Sequence, residues 1–301
     1  MKKHTFDRQT KGDRIFFALD YAVLVFVVLV VVYPLIYVLS CSFSDPLAVM
    51  ESKVVLWPVN ISLQSYKQVF EYTPIWIGFR NSIAYTVIGT ALNLVLTMLL
   101  AFPLSARELP GKKIVLGLLT FTMLFNAGTI PNYIWMRNLG LIDNFWVLIL
   151  PCGLTAYNVF VTRTYMQNTL TEELREAAEI DGCSDFRFFL QIALPLSGAI
   201  VAVMMLFYGT VHWGEYFNAL IYIRSKELYP LQIFLRNILI ANNIEGDLLG
   251  SLDPEEAALR EALQETLKYG IIVVSSLPMM LLYPFVQKFF VKGVMIGAVK
   301  G

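Results

Sequence analysis

The chain has 301 residues, 57% of them apolar and only 15% charged, with 23 Lys and Arg balanced by 23 Asp and Glu. Soluble globular proteins average about 45–50% apolar and about 25% charged residues, so the composition excludes an ordinary soluble enzyme and a disordered chain and points to the membrane. Zero net charge leaves no global field to recruit nucleic acid. Three scattered cysteines (Cys41, Cys152, Cys183) and two histidines (His4, His212) offer neither a disulfide framework nor a zinc ligand set, so no metal or cofactor is expected in the chain itself.

A bilayer crossing needs about 20 apolar residues, because the hydrocarbon layer is about 30 Å thick and a helix rises about 1.5 Å per residue. Six charge-free runs reach 19 residues or more: 21–44, 81–106, 114–136, 144–162, 188–214 and 269–287. They predict an all-α polytopic membrane protein with six transmembrane helices, since such runs are too long for barrel strands. The organisation that follows is a tail over 1–20, a permeating domain over 21–287 and a tail over 288–301. Val38-Leu39-Ser40-Cys41 loosely resembles a lipoprotein cleavage box, but the first run is too long for a signal core, so an uncleaved first helix is expected.

An even number of spans puts both termini on one side. The segments 1–20, 107–113, 163–187 and 288–301 hold 14 Lys and Arg in 66 residues, against 9 in 97 for 45–80, 137–143 and 215–268. The excess of basic residues predicts that both termini and the 163–187 loop are cytoplasmic. Of the external segments, 45–80 reads as a loop with short helical pieces. The stretch 251–268 reads as a helix capped by Asp253, with Pro254 in its first turn and Leu259, Leu263 and Leu267 on one stripe.

The segment between the fourth and fifth spans is longer than a connector needs. Thr169 and Glu172 have the spacing of a capping box, Leu174, Ala177, Ala178 and Asp181 fall along one side of a helix, and Gly182 stops it. Phe186, Phe188, Phe189 and Ile192 form a second apolar piece leading to Leu194-Pro195, where proline opens the next helix. The pattern Glu176-Ala177-Ala178, then Asp181-Gly182 and Ile192-x-Leu194-Pro195, resembles the EAA loop of ATP-binding-cassette (ABC) importer permeases. Leu139 to Asn144 with Leu150-Pro151, the stretch Asn158 to Thr169 and the tail from Phe290 to Gly301 are similar to the carbohydrate-type subgroup, which includes maltose and polysaccharide-fragment permeases. The chain departs from the pattern at Thr171, where many relatives carry proline, and at Gly214, where asparagine often follows the tryptophan.

The resemblance implies a bacterial plasma-membrane subunit that pairs with a second permease, a non-identical homologue. It also implies two cytoplasmic ATPase subunits holding ATP and magnesium, and an external solute-binding protein delivering an oligosaccharide. The EAA loop (169–195) would dock on an ATPase through Leu174, Glu176, Ala177, Ala178, Asp181, Gly182, Ile192, Leu194 and Pro195. The chain fits a non-enzymatic role: its only Gly-Lys pair, Gly111-Lys112, is followed by Lys113 and has Ala106 where a phosphate loop needs its first glycine.

Polar residues within spans mark helix interfaces or a pathway. Ser82, Tyr85, Thr86, Gly89, Thr90, Asn93 and Thr97 form one stripe on the second span, and Asn126 lies in the third. The end of the fifth span, from Tyr208 to Asn218, carries Trp213, Glu215, Tyr216 and Asn218, whose rings and polar groups suit either sugar stacking or an interfacial aromatic belt. The candidate pathway is therefore Tyr85, Asn93, Asn126, Trp213, Glu215, Tyr216 and Asn218. An ATPase-independent secondary transporter would need intramembrane carboxylates or a broken-helix ion site, and all six runs lack Asp, Glu, Lys and Arg. An ABC importer for another solute class stays open, as does the choice between neutral and uronic sugar.

Overall fold

In an apolar solvent a helix satisfies each backbone polar group within its own segment, and the long runs of Val, Leu, Ile and Phe form helices for that reason. The computed structural model describes residues 11–241 and 254–298, and those residues contain no strand. In chain order the helices are α1 Lys11–Ser42, α2 Pro46–Met50, α3 Gln64–Glu71, α4 Thr73–Ser105, α5 Lys112–Leu124, α6 Thr129–Asn138 and α7 Ala156–Thr169. They continue with α8 Glu172–Ile180, α9 Asp185–Phe188, a π-helical turn over Phe189–Ala193, α10 Leu194–Leu196, α11 Gly198–Trp213, α12 Phe217–Tyr222, α13 Leu231–Ala241 and α14 Pro254–Ala298.

Three single helices are long and apolar enough to cross a bilayer, at Gly12–Ser42, Thr73–Ser105 and Ala262–Pro284. Two further passages are bent: α5 and α6 meet at 116°, and Asp185–Leu196 and Gly198–Trp213 meet at 78°. By length and apolarity the described residues account for up to five passages, and the uncharged run 144–162, the expected sixth, does not form one long apolar helix. It opens as a 3-10 turn over Phe145–Leu148, capped by the Asn144 side chain, which accepts from the Trp146 amide. It then passes through 149–155 without a helix before α7 begins. Pro151 lies in that gap, lacks a backbone donor and steers Leu150 away from helical backbone, a signal that counting charges ignores.

Two boundaries also move. The second span begins eight residues before the uncharged run, because the helix continues through Arg80 to Thr73. The expected helix over 251–268 is not separate: α14 runs unbroken for 45 residues, with Pro278 and Pro284 inside it. Asp253, the expected cap, lies outside the described residues.

The chain divides into two compact units. In the first, residues 1–72 and 238–275, the side chains of α1 from Gly12 to Pro34 are exposed and apolar almost without interruption. At the C-terminal end of α1 serines tie down the following loop. Ser40 Oγ donates to the Leu56 carbonyl at 2.6 Å, Ser65 Oγ donates to the Ser42 carbonyl at 2.6 Å, and the hydroxyls of Ser42 and Tyr66 meet at 2.8 Å. Cys41, Val49 and Val54 form a small core beneath them, flanked by Tyr37, Val59 and Tyr269. The cysteine of the cleavage-box resemblance is thus a packed core residue.

The second unit, residues 73–237 and 276–301, is organised on α4. Its polar stripe is buried and bonded within the chain. Asn81 donates to the Glu227 and Tyr229 carbonyls at 2.6 and 3.0 Å, Ser82 Oγ accepts from the Leu231 amide at 2.9 Å, and Tyr85 donates to the Leu228 carbonyl at 2.9 Å. Deeper along α4, Asn93 donates through Nδ2 to the Cys152 carbonyl and accepts through Oδ1 from His212 Nε2 at 2.6 Å. The hydroxyls of Thr97 and Tyr208 meet at 2.7 Å. The loop preceding the 3-10 turn is held by Asp143, whose carboxylate accepts from the Arg224 and Ser225 amides at 2.8 Å and from the Ser225 hydroxyl at 2.6 Å. Ser225, with the Arg224 amide, holds that carboxyl below its usual range.

The imidazole of His212 lies against Gly89, where an added Cβ would come within 2.5 Å of the ring. On α11 the corresponding atom at Gly209 would find nothing closer than 3.8 Å. We expect Gly89→Ala to destabilise the second unit by about 1–3 kcal/mol through overpacking and Gly209→Ala to be tolerated. Thermal unfolding of the detergent-purified variants checks this; equal melting temperatures would contradict the close packing.

Candidate functional site

Between α7 and α11 the chain makes a helix–turn–helix. α7 runs through Thr169, so the expected capping box at Thr169 and Glu172 does not form, and Thr171 takes the cap position of α8 with an extended backbone. Only Leu170 and Thr171 separate the two helices. Glu172 and Glu173 sit in the first turn of α8, where negative charge complements the helix dipole.

The stop at Gly182 is as expected. Its φ is +72°, the Gly182 amide bonds the Glu179 carbonyl at 2.9 Å and the Cys183 amide bonds the Ala178 carbonyl at 2.9 Å. This pair of bonds is a Schellman cap, which satisfies the last carbonyls of a helix and needs a left-handed residue at the turn. Ser184 then caps α9, its hydroxyl accepting from the Arg187 amide at 3.4 Å.

α8 has two distinct faces. Leu174 and Arg175 are half-buried and Ala178 is buried, packing into a core with Met98, Ala101, Leu104, Met166 and Phe188. Glu176, Ala177, Glu179, Asp181 and Gly182 are exposed. Ala178 thus packs against its own chain, and Ala177 is the alanine left open to a partner. Ile192 and Leu194 pack on the same core, while Pro195 is exposed at the bend into α11. Two large apolar residues stand on the outer side: Ile180, which the sequence reading did not single out, is 86% exposed, and Phe186, expected in the second apolar piece, is 68% exposed. Their signal was helical spacing: Ile180 lies two positions from the buried Ala178 and Phe186 two from the buried Phe188, each on the opposite side of its helix.

Arg175 was also passed over. Its guanidinium lies 5.2 Å from the ring centre of Phe102 and 5.6 Å from that of Phe188, and it donates to Ser105 Oγ at 2.8 Å. Burial lowers its pKa, but a guanidinium stays cationic at neutral pH.

The other candidates spread along α4 and the end of α11. Tyr85 is buried and stacked on Phe145 at 4.7 Å, and Asn93 is fully buried between His212 and Cys152. Trp213 is buried and meets Phe79 edge-on at 5.8 Å. Glu215 is buried and accepts from the Asn218 amide at 3.2 Å, and burial raises its pKa. Tyr216 and Asn218 are half-buried. Asn126 stands apart, exposed in the break between α5 and α6, where its Oδ1 accepts from the Gly128 amide at 2.9 Å. Among the described residues no group of His, Cys, Asp and Glu is placed to hold a metal ion.

No family model matches the chain. It is 38% identical over 292 residues to YtcP of Bacillus subtilis (strain 168), a polygalacturonan/rhamnogalacturonan transport system permease protein, covering 96% of this chain and 99% of the relative. It is 26% identical over 283 residues to AraQ of Halalkalibacterium halodurans, an arabinooligosaccharides transport system permease protein, covering 92% and 94%. Its fold matches a solved bacterial ABC transporter involved in the import of the acidic polysaccharide alginate, with a TM-score of 0.85, 32% identity and coverage of 94% and 99%. A multi-pass helical chain with these likenesses is a membrane subunit of a transport system and not an enzyme. It belongs to the permeases of carbohydrate ABC importers.

An added Cβ at Gly182 would meet nothing within 4 Å, so a substitution there acts through backbone strain alone. Gly182→Val is expected to weaken the α8 stop by roughly 1–2 kcal/mol, and Gly182→Asn by less. Faster hydrogen exchange at the residue 182 and Cys183 amides reports the loss, and unchanged exchange in the valine variant would contradict the cap.

Proposed function

We propose that this permease carries a uronic oligosaccharide, received from an external solute-binding protein, and that α8 is the lever through which a cytoplasmic ATPase drives it. The observation behind the substrate class is the full-length likeness to proteins whose names specify polygalacturonan/rhamnogalacturonan and alginate, both acidic polymers. The complex contains a second, non-identical permease and two ATPase subunits that hold ATP and magnesium. Both termini face the cytoplasm of a bacterial cell, in keeping with the distribution of basic residues.

The outer face of α8 suits an ATPase groove with an apolar floor and a basic rim. Ile180 and Phe186 supply the apolar contacts, and Glu176, Glu179, Asp181 and Asp185 supply negative charge around them. Leu174, Ala178, Ile192 and Leu194 hold that face in place from behind, Gly182 and Pro195 set its turns, and Ala177 permits close approach. On the pathway, Asn126, Tyr216 and Asn218 retain surface for sugar hydroxyls and ring faces. Tyr85, Asn93, Trp213 and Glu215, bonded or packed within the chain, frame it.

Two measurements test this reading. Proteoliposomes with the full complex, binding protein and internal ATP should take up labelled oligogalacturonate or alginate oligomers in preference to neutral maltooligosaccharides. Uptake confined to the neutral sugars would overturn the substrate class. For orientation, Ala177→Cys should react with an impermeant thiol reagent in inside-out vesicles and not in intact cells; labelling from outside would reverse the topology.

A further inference from the structure

α8 is joined to the membrane helices at its two ends by turns alone, through Leu170 and Thr171 on one side and Asp181 to Ser184 on the other. Open space flanks it. A cleft of about 570 Å³ is lined by α8, α9 and the Ala106–Pro110 loop, and a second of about 430 Å³ by α8 and the end of α7. Arg107, Glu172 and Arg175 line both clefts. Leu174 and Ala178 touch the core by apolar contact, which has no preferred direction and does not by itself fix the rotation of α8 about its own axis.

Resting on the reading of α8 as the ATPase-driven lever, we infer that Arg175 is the positioning residue that locks the lever to α4, so that a displacement of α8 moves α4 and the start of the α9–α11 passage together. Ser105 lies seventy residues before Arg175, and no nearby covalent joint ties α8 to α4. The guanidinium makes the link in three directions: to the face of Phe102 on α4, to Phe188 on α9, and by hydrogen bond to Ser105 at the last residue of α4. Its targets are themselves braced. Ser105 Oγ donates to the Phe102 carbonyl at 2.6 Å, and the Phe102 ring lies 5.0 Å from Phe189. A planar cation that stacks and hydrogen-bonds at once has one orientation, which an ammonium on a flexible stem does not impose. The link also sits where the helices are most able to change angle. Pro103 lies in the last turn of α4, and the π-helical turn Phe189–Ala193 follows Phe188 directly; π-turns of this kind recur at functional sites.

The test compares Arg175→Met, which keeps length and apolar packing, with Arg175→Lys, Phe102→Leu and the Arg175→Met/Phe102→Leu double variant. Each is assembled with its ATPase, partner permease and binding protein in proteoliposomes. Uptake per ATP hydrolysed is measured with whichever saccharide the wild type carries, so the result does not depend on the uronic assignment. Arg175→Met should co-purify with the ATPase, keep its basal hydrolysis and lose roughly fivefold or more in uptake per ATP, the scale that a loss of one or two kcal/mol sets. The lysine variant should fall between, and the double variant should be no worse than Arg175→Met, because both changes cut one link. In a chain with its native cysteines replaced, spin labels at positions 108 and 179, across the larger cleft, should show a broader distance distribution in Arg175→Met than in its parent. Uptake per ATP within twofold of wild type, an unchanged distance distribution, additive losses in the double variant, or loss of the ATPase from Arg175→Met while Phe102→Leu transports normally would each overturn the inference.

Discussion

A buried hydrogen-bonding group in an apolar surrounding must find a partner, and the second unit is arranged around that requirement at one face of α4. Asn81, Ser82, Tyr85 and Asn93 do not bond to one another. Three donate to backbone carbonyls and one accepts from a backbone amide; those groups lie at 152, in and just after the 3-10 turn Lys226–Leu228, and at the first residue of α13, where no intrahelical partner is available. Such stretches have peptide groups that no helix satisfies, and at membrane depth they persist only where protein supplies the missing bonds. The amides and hydroxyls of α4 supply them, so the loops beside α4 take defined paths.

That requirement also explains why the end of α11 is so closely packed. His212 reaches Asn93 only because position 89 is glycine, and Asn93 in turn holds the Cys152 carbonyl. Three segments far apart in sequence meet at a single amide side chain. At the other end of α4 the logic differs. There a charged side chain from α8 does the joining, and its partners are aromatic faces and one hydroxyl. One helix thus carries a neutral hydrogen-bonded contact along its length and a cationic one at its end.

What the sequence revealed followed how local each determinant is. Gly182 was legible because a left-handed turn is a demand on one residue, whereas the side of α8 read from spacing grouped Ala177 and Asp181 with Leu174 and Ala178, and only the latter two are turned inward. The stripe on α4 was legible as a stripe, but its partners were not. Nothing in Asn93 announces a histidine more than a hundred residues away. Arg175 escaped notice because Phe102 and Ser105 belong to a distant segment. The run 144–162 did not announce its break, because absence of charge measures solubility in lipid and not helical backbone, while Pro151 acts on the backbone directly. Charged residues at the edges of runs misplaced the start of α4, since Arg80 is exposed at a helix that simply continues past it.

The lengths of the helices set a demand on the surrounding lipid. α1 has 32 residues and α4 has 33, about 48–50 Å each at 1.5 Å per residue, whereas α5 has 13 residues before its break, about 20 Å. All of them meet a hydrocarbon layer of about 30 Å. The long helices answer by tilting or by standing clear of the layer, and the short one by drawing the bilayer inward or being covered by neighbouring protein; each adjustment costs fractions of a kcal/mol per Å of mismatch. Charged residues at the ends of the long helices (Arg14 and Asp20 on α1, Arg80 on α4) let those ends stand clear of the apolar layer, so the mismatch falls on the short helix. Membrane thickness thereby becomes a variable that acts on the α5–α6 break from outside, independently of any ligand.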